Sequence, residues 1–263
     1  MSNIFMNNDF YKRIFSSFFL ILMAIISLFT NNIVLVFTLL LIVAVLTYEW
    51  IIITENLNGN LLLYSRVLVN ISFFSLSLFD IRFSILFFLL ISIINIFSKT
   101  HFKVSQIYVY IGPLYICLPL ILFYDLYISY EVGHELIVWG LLVIWFTDIF
   151  AYLGGNILKG KKMCPSISAN KTWSGFIFGL LGAILISVIL FIYKNESIII
   201  AILVGILISL IAQLGDLFES YVKRQHSVKN SSNLIPGHGG MLDRLDSTLF
   251  AFIFIYLGNI WIN

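Results

Sequence analysis

From Trp173 to Tyr193 the chain carries no charged residue, and from Ile33 to Thr54 it carries one, Glu49. Runs of this kind restrict a fold more than any motif, because a helix that crosses a bilayer needs about 20 predominantly apolar residues. Composition agrees with that reading. Hydrophobic residues make up 60% of the 263 and charged residues 11%, against about 25% charged in a soluble domain. A mean hydropathy of +1.03 excludes a disordered chain, which needs low hydrophobicity and high charge. It also excludes an ordinary soluble globule, because too little polar material is present to cover the surface. The expected class is all-α, a polytopic integral membrane protein with about nine transmembrane helices. Cys117 falls in an apolar run and Cys164 in a basic loop, so they form no disulfide framework.

The apolar runs are about 14–29, 33–54, 61–79, 81–97, 104–124, 136–153, 173–193, 197–215 and 245–262. Only Asp80 separates the third from the fourth. The first run follows Lys12 and Arg13 as a signal peptide would, but no small-residue cleavage site follows it, so an uncleaved helix is expected. One membrane domain over residues 1–263 results, with N-terminal spans in 1–130 and a catalytic half in 134–263. The longest polar stretches are about 154–172 and 216–244.

Charge placement orients the spans. One face receives Lys12, Arg13, Lys99, Lys103, Lys159, Lys161, Lys162, Lys171, Lys223, Arg224, Lys229 and Arg244, while the other receives Arg82 and Lys194. Basic loops stay cytoplasmic. The N-terminus and both polar loops are therefore expected inside, in a bacterial-type inner membrane. The loop holding Asp125, Glu131 and Glu135 has no Lys or Arg, as an outer loop should.

Topology alone does not explain the polar detail of the last inner loop. If the eighth helix continues beyond the membrane, Gln213, Asp216, Glu219 or Ser220, and Lys223 share a face, since i, i+3, i+4 and i+7 align. A solvated helix end with Glu219 and Lys223 paired would look the same. Pro236-Gly237-His238-Gly239-Gly240 follows, then Asp243, Arg244 and Asp246. Glycines there let backbone approach a ligand closely, although a flexible turn would also use them. Carboxylates beside Lys and Arg suit a divalent cation with phosphate, because Mg²⁺ is usually held by one or two carboxylates plus substrate phosphates. The earlier loop offers Ser168, Lys171 and Thr172, a phosphate-binding set or a helix cap beside a topology signal. Asp148 lies within the sixth run, and acids in spans tend to line polar cavities. Glu49 beside Trp50 is either interfacial or functional.

The stretch Ser220-Tyr221-Val222-Lys223-Arg224, then Lys229-Asn230, then Pro236 through Asp246, resembles the signature of the phosphatidate cytidylyltransferase (CDP-diacylglycerol synthase) family. The likeness extends to Gln213 through Ser220, to Asp148 with Ala151, Tyr152 and Gly155, to Ser168 through Gly175, and to Glu49-Trp50. Asn230 stands where the family pattern has Asp. Ala169, Asn170 and Ser174 stand where it usually has Pro, Lys and Glu.

The resemblance implies CMP transfer from CTP to phosphatidate, giving CDP-diacylglycerol and pyrophosphate. It implies Mg²⁺ as cofactor, with room for a second cation among the acids. Asp216, Asp243 and Asp246 would be metal ligands, with Glu219 beside them and Lys223 and Arg224 on phosphates. Substrate contacts would come from Ser168, Lys171, Thr172, Ser220, Lys229, His238, Gly239, Gly240, Arg244 and Asp148. The partners are CTP, phosphatidate and membrane lipids, with no nucleic acid, and a homodimer stays open. Two other readings are a CTP-dependent polyprenol or lipid kinase and a transporter. A transporter is disfavoured, because the polar residues gather at one surface and no repeat is visible.

Overall fold

A computed structural model of the chain describes residues 8–55, 61–97, 107–130, 132–195 and 197–262. Lys99, Lys103, Glu131 and the Arg13 side chain, used above for orientation, lie outside the described residues. Among the described residues the chain forms nine α-helices: α1 (Asn8–Phe29), α2 (Asn32–Glu55), α3 (Leu61–Ser77), α4 (Ile81–Phe97), α5 (Ile107–Ser129), α6 (Gly133–Leu158), α7 (Trp173–Tyr193), α8 (Ile198–Gln225) and α9 (Leu242–Ile262). Five of them, α2, α5, α6, α7 and α8, are long and apolar enough to cross a membrane. The 17 residues of α3 and of α4 extend about 26 Å at 1.5 Å per residue, short of a hydrocarbon core of about 30 Å. The chain is thus an all-helical protein of membrane type.

Asp80 does divide the third run from the fourth. Its Oδ1 accepts from Arg82 N at 2.8 Å and its carbonyl from Phe83 N at 3.0 Å, which starts α4. Two of the expected loops need correction. Helix α6 does not stop at Leu153 but reaches Leu158, where Lys159 in the left-handed region (φ 47°) ends it. The remaining stretch is not irregular. It folds into an antiparallel hairpin of β1 (Lys162–Cys164) and β2 (Ser168–Thr172), with Lys162 opposite Thr172 and Cys164 opposite Ser168. Helix α8 continues to Gln225, so the second polar loop begins ten residues later than expected.

The chain divides into two compact units: Met1–Ile121 with Val228–Arg244, and Leu122–Ser227 with Leu245–Asn263. In the first, α2 buries Leu35, Leu39, Val43, Leu46, Glu49, Trp50 and Ile53 at helical spacing. Trp50 anchors this helix to the first part of α5. Its Nε1 donates to Tyr108 O at 3.0 Å, its ring lies 5.2 Å from that of Tyr115, and a Cβ at Gly112 would fall 2.5 Å from Nε1.

In the second unit, small residues let α6 and α7 touch along their backbones. A Cβ at Gly175 would lie 2.7 Å from Ala151 O, one at Gly182 2.7 Å from Phe146 O, and one at Gly154 2.4 Å from the Phe178 ring. Small residues at helix interfaces are the usual device where lipid removes the hydrophobic drive between helices. Helix α8 meets α9 the same way, with Gly215 against Asp246 O and the Phe218 and Phe250 rings 5.4 Å apart.

Candidate active site

The second unit gathers charge at the end of α8. Lys171, on β2, reaches Asp216 Oδ2 at 2.8 Å. Ser220 donates to Asp216 Oδ1 at 3.4 Å. One turn further along, Glu219 pairs with Lys223, and both are buried. Asp246 is 8% exposed and lies within electrostatic range of Asp216, Glu219 and Asp148. Its Oδ1 accepts from Ser247 N at 2.8 Å. The face expected from helical spacing on α8 is therefore formed, and Asp246 and Lys171 complete it.

Charge arithmetic describes this cluster. Fully ionised, Asp148, Asp216, Glu219 and Asp246 would carry four negative charges against two positive charges on Lys171 and Lys223, a balance of −2. One divalent cation would cancel it, and carboxylate oxygens are the hard donors Mg²⁺ prefers. Among the described residues, no three His, Cys, Asp or Glu side chains converge on one point as metal ligands. The reason is visible in the pairs: Asp216 turns to Lys171 and Glu219 turns to Lys223. An ammonium group faces each of these two carboxylates.

The hairpin brings Lys171 to this place. Trp173 N donates to Lys161 O at 3.0 Å to close it, and Thr172 caps α7 by accepting from Gly175 N at 3.1 Å. Thr172 is buried, and its hydroxyl is engaged with that cap and with Ser174 at 3.1 Å. Arg224 Nε donates to Ile167 O at 3.1 Å, tying the end of α8 to the hairpin turn. Ser168 is half-buried at the start of β2.

The first unit holds the Gly-rich loop. Ile235 to His238 form a turn closed by His238 N on Ile235 O at 3.0 Å. Pro236 occupies its second position and Gly237 (φ 78°) its third, the arrangement of a type II turn. Gly239 is also in the positive region, at φ 89°. The His238 ring meets the hydroxyls of Ser16 (Nδ1, 2.7 Å) and Ser17 (Nε2, 3.2 Å) on α1, and its carbonyl accepts from Arg244 at 2.7 Å. Asp243 Oδ2 accepts from Ser231 N, Ser231 Oγ and Gly240 N at 2.9–3.0 Å. Lys229 and Asn230 are exposed.

A profile of the cytidylyltransferase family matches residues 11–260. The chain belongs to this family. A phosphatidate cytidylyltransferase of Rickettsia prowazekii is 32% identical over 216 residues, 76% of this chain and 93% of that protein. The protein of the same name from Rickettsia conorii is 40% identical over 128 residues, 46% of this chain and 56% of its own length. That of Staphylococcus haemolyticus is 43% identical over 121 residues, 45% of this chain and 46% of its own length. The chain thus spans about half the length of these last two relatives.

Three residues that support the Gly-rich loop fall outside the expected site. Glu49 is fully buried and accepts from Ser232 Oγ (2.5 Å), Leu242 N (2.7 Å), Met241 N (2.9 Å) and Ser231 Oγ (3.0 Å). Its carboxylate is engaged wholly within the protein. The available signal was an acid alone in an apolar span. Ser231 and Ser232 lay inside the signature, but nothing local marked them as partners of an acid 182 residues away.

Proposed function

We propose that this chain transfers CMP from CTP to phosphatidate, releasing pyrophosphate and CDP-diacylglycerol for phospholipid synthesis. Membership of the cytidylyltransferase family makes it a nucleotidyltransferase. The observation that carries the substrate reading is the Rickettsia prowazekii phosphatidate cytidylyltransferase, matched over 93% of its length. The lipid phosphate is already an anion, so no activated Ser or Cys is needed. One of its oxygens attacks the α-phosphorus, a new P–O–P link forms, and the bond to the β-phosphate breaks. The obstacle is the approach of two polyanions. The work left to the protein is positioning and charge neutralisation.

The residues suit that work. Lys171 and Lys223 carry positive charge at the cluster and each already holds a carboxylate. Incoming phosphate oxygens can replace those carboxylates. Asp216 and Asp246 would hold Mg²⁺, with Glu219 beside them. Bound there, Mg²⁺ would neutralise phosphate charge and orient the CTP tail. Asp243 stays a proposed Mg²⁺ ligand on the strength of the family resemblance; within its own unit its carboxylate accepts from Ser231 and Gly240. Arg244 and His238 with Gly239 and Gly240 would shape the nucleotide pocket. Arg224 would add positive charge beside the cluster, and Lys229 would contact substrate as the family resemblance implies. All nine helices would cross the membrane, with α1, α3, α4 and α9 as the shorter or less apolar spans. The basic loops and the site would face the cytoplasm, where CTP is, while the acyl chains stay among the helices.

The test is purified protein with phosphatidate, CTP labelled in the cytidine, and Mg²⁺. The expected product is lipid that carries the cytidine label. Label confined to free CDP, with a phosphate added to the lipid, would make the chain a CTP-dependent lipid kinase and defeat the proposal.

A further inference from the structure

We infer that Glu49 is a positioning residue for the signature loop, holding Asp243, Arg244 and His238 in working register from the membrane helix α2. This rests on the proposed CMP transfer only for what the loop is positioned to do.

Each carboxylate oxygen accepts one hydroxyl and one backbone N–H. Oε1 takes Ser232 Oγ and Met241 N, and Oε2 takes Ser231 Oγ and Leu242 N. Ser231 and Ser232 begin the loop, and Met241 and Leu242 end it where α9 starts. One side chain therefore pins both ends of the segment that carries the Pro236–Gly240 turn. The first N–H groups of a helix have no partner within it, and an anion is favoured at that end. Here the anion comes from another helix.

The same acid explains one glycine of the signature. A Cβ at Gly240 would lie 2.6 Å from Glu49 Oε1 and 1.8 Å from Ser231 Oγ. Gly240 is needed so that the carboxylate can reach the backbone. Its N–H donates to Asp243 Oδ2, and Ser231 Oγ bonds both acids. Glu49 and Asp243 thus share Ser231, and a shift of one moves the other. Trp50 holds α2 against α5, so the pin is set on a fixed helix.

Packing alone does not call for this residue. An apolar side chain would fill the same space in an apolar helix, and four accepted hydrogen bonds would be lost. Glu49→Gln retains shape and volume but turns one oxygen into a donor. Whichever oxygen is replaced, one backbone N–H at the entry to α9, that of Met241 or of Leu242, loses its acceptor.

The experiment compares the parent, Glu49→Gln and Ser232→Ala in detergent by steady-state kinetics, backbone hydrogen exchange and thermal unfolding. Glu49→Gln is expected to lower kcat about 10- to 100-fold, the usual cost of an outer partner. KM for CTP should change less than about 3-fold, because the lost interaction is not made with the substrate. Exchange at Gly240, Met241 and Leu242 should quicken even without Mg²⁺ or CTP. Ser232→Ala removes one of the four bonds and should move kcat and exchange the same way, by less than about 10-fold. A kcat within about 2-fold of the parent, or unchanged exchange at α9, overturns the inference. So does a loss confined to thermal stability with kcat of the folded protein retained, which is a packing role. If Glu49→Gln does not accumulate, Ser232→Ala decides by the same readouts. A parent that transfers no CMP, with exchange at Gly240, Met241 and Leu242 still quickened in Glu49→Gln, sinks the functional reading and leaves the positioning intact.

Discussion

Removing the ammonium of Lys171 tests whether it stands in for a cation. Lys171→Met keeps the length of the side chain and deletes its charge. In the structure that charge sits 2.8 Å from Asp216 Oδ2, and the local balance would fall from −2 to −3. A hydrogen bond to a charged group contributes about 1.5–3 kcal/mol. The two side chains are 21% and 34% exposed, so solvent screening places this one at the lower end. About 1.4 kcal/mol is a factor of ten, and the expected loss in kcat/KM is therefore roughly 10- to 30-fold. The sign of the Mg²⁺ response is more informative than the loss. With its competitor gone, Asp216 binds a divalent cation more readily, so half-saturation by Mg²⁺ should move to lower concentration as turnover falls. The assay is CDP-diacylglycerol formation by purified enzyme across a Mg²⁺ titration at saturating CTP. Unchanged turnover together with an unchanged Mg²⁺ curve would show that Lys171–Asp216 is a surface ion pair without a part in the reaction.

Three further substitutions test the site, and one labelling experiment tests the orientation. Asp216→Asn should lower activity by about two orders of magnitude or more, the scale expected when a charged group in contact with the transferring phosphate is removed, and near-normal turnover at saturating Mg²⁺ would remove Asp216 from the ligand set. Asp243→Asn should cut activity comparably but also quicken exchange at Gly240 and Ser231, because an amide cannot accept all three bonds that Oδ2 accepts; unchanged exchange would refute that account. Asn230→Asp restores the usual family residue beside Gly239, whose Cβ position lies 3.6 Å from Asn230 Cβ; kcat/KM should change by less than about 100-fold, and an inactive natural protein rescued by this change would make position 230 a direct ligand. Cys164, half-buried at the end of β1, should react with a membrane-impermeant maleimide in inverted vesicles and not in intact spheroplasts, and labelling from outside would reverse the proposed orientation.

Helix positions were legible because lipid imposes a length and an apolar composition on any segment that spans it. Even the weak division at Asp80 follows a local rule, a side chain capping the helix that starts next to it. The hairpin at 162–172 was not legible. Its strands read Lys-Met-Cys and Ser-Ala-Asn-Lys-Thr, with a single β-branched residue, Thr172, and no apolar alternation to mark a sheet face. Helix α6 outran its predicted end because the apolar run stops at Leu153, whereas the helix continues and Gly154 packs against Phe178 of α7. In the site, the spacing of Asp216, Glu219 and Lys223 could be read directly, since a helix repeats within four residues. The partners of Glu49 and His238 lie 182 to 222 residues away, and no periodicity reports a contact of that separation.

The acids of the signature divide by what they hold, and this bears on which can change partners during a reaction. Glu49 and the Oδ2 atom of Asp243 accept backbone N–H groups. A backbone amide cannot follow a carboxylate that moves, and a buried N–H left without an acceptor costs about 1–3 kcal/mol. Those oxygens are committed to the loop. Asp216 and Glu219 instead face ammonium groups at the ends of long side chains. Lys171 and Lys223 can swing to a phosphate oxygen while a divalent cation takes their places, and no backbone group is stranded by the exchange. The same four groups can therefore be neutral pairs before substrate arrives and a cation site with a phosphate clamp afterwards. Under the proposed transfer, an enzyme that received CTP and Mg²⁺ without first exposing bare carboxylates would need partners that can be exchanged, and lysines would provide them.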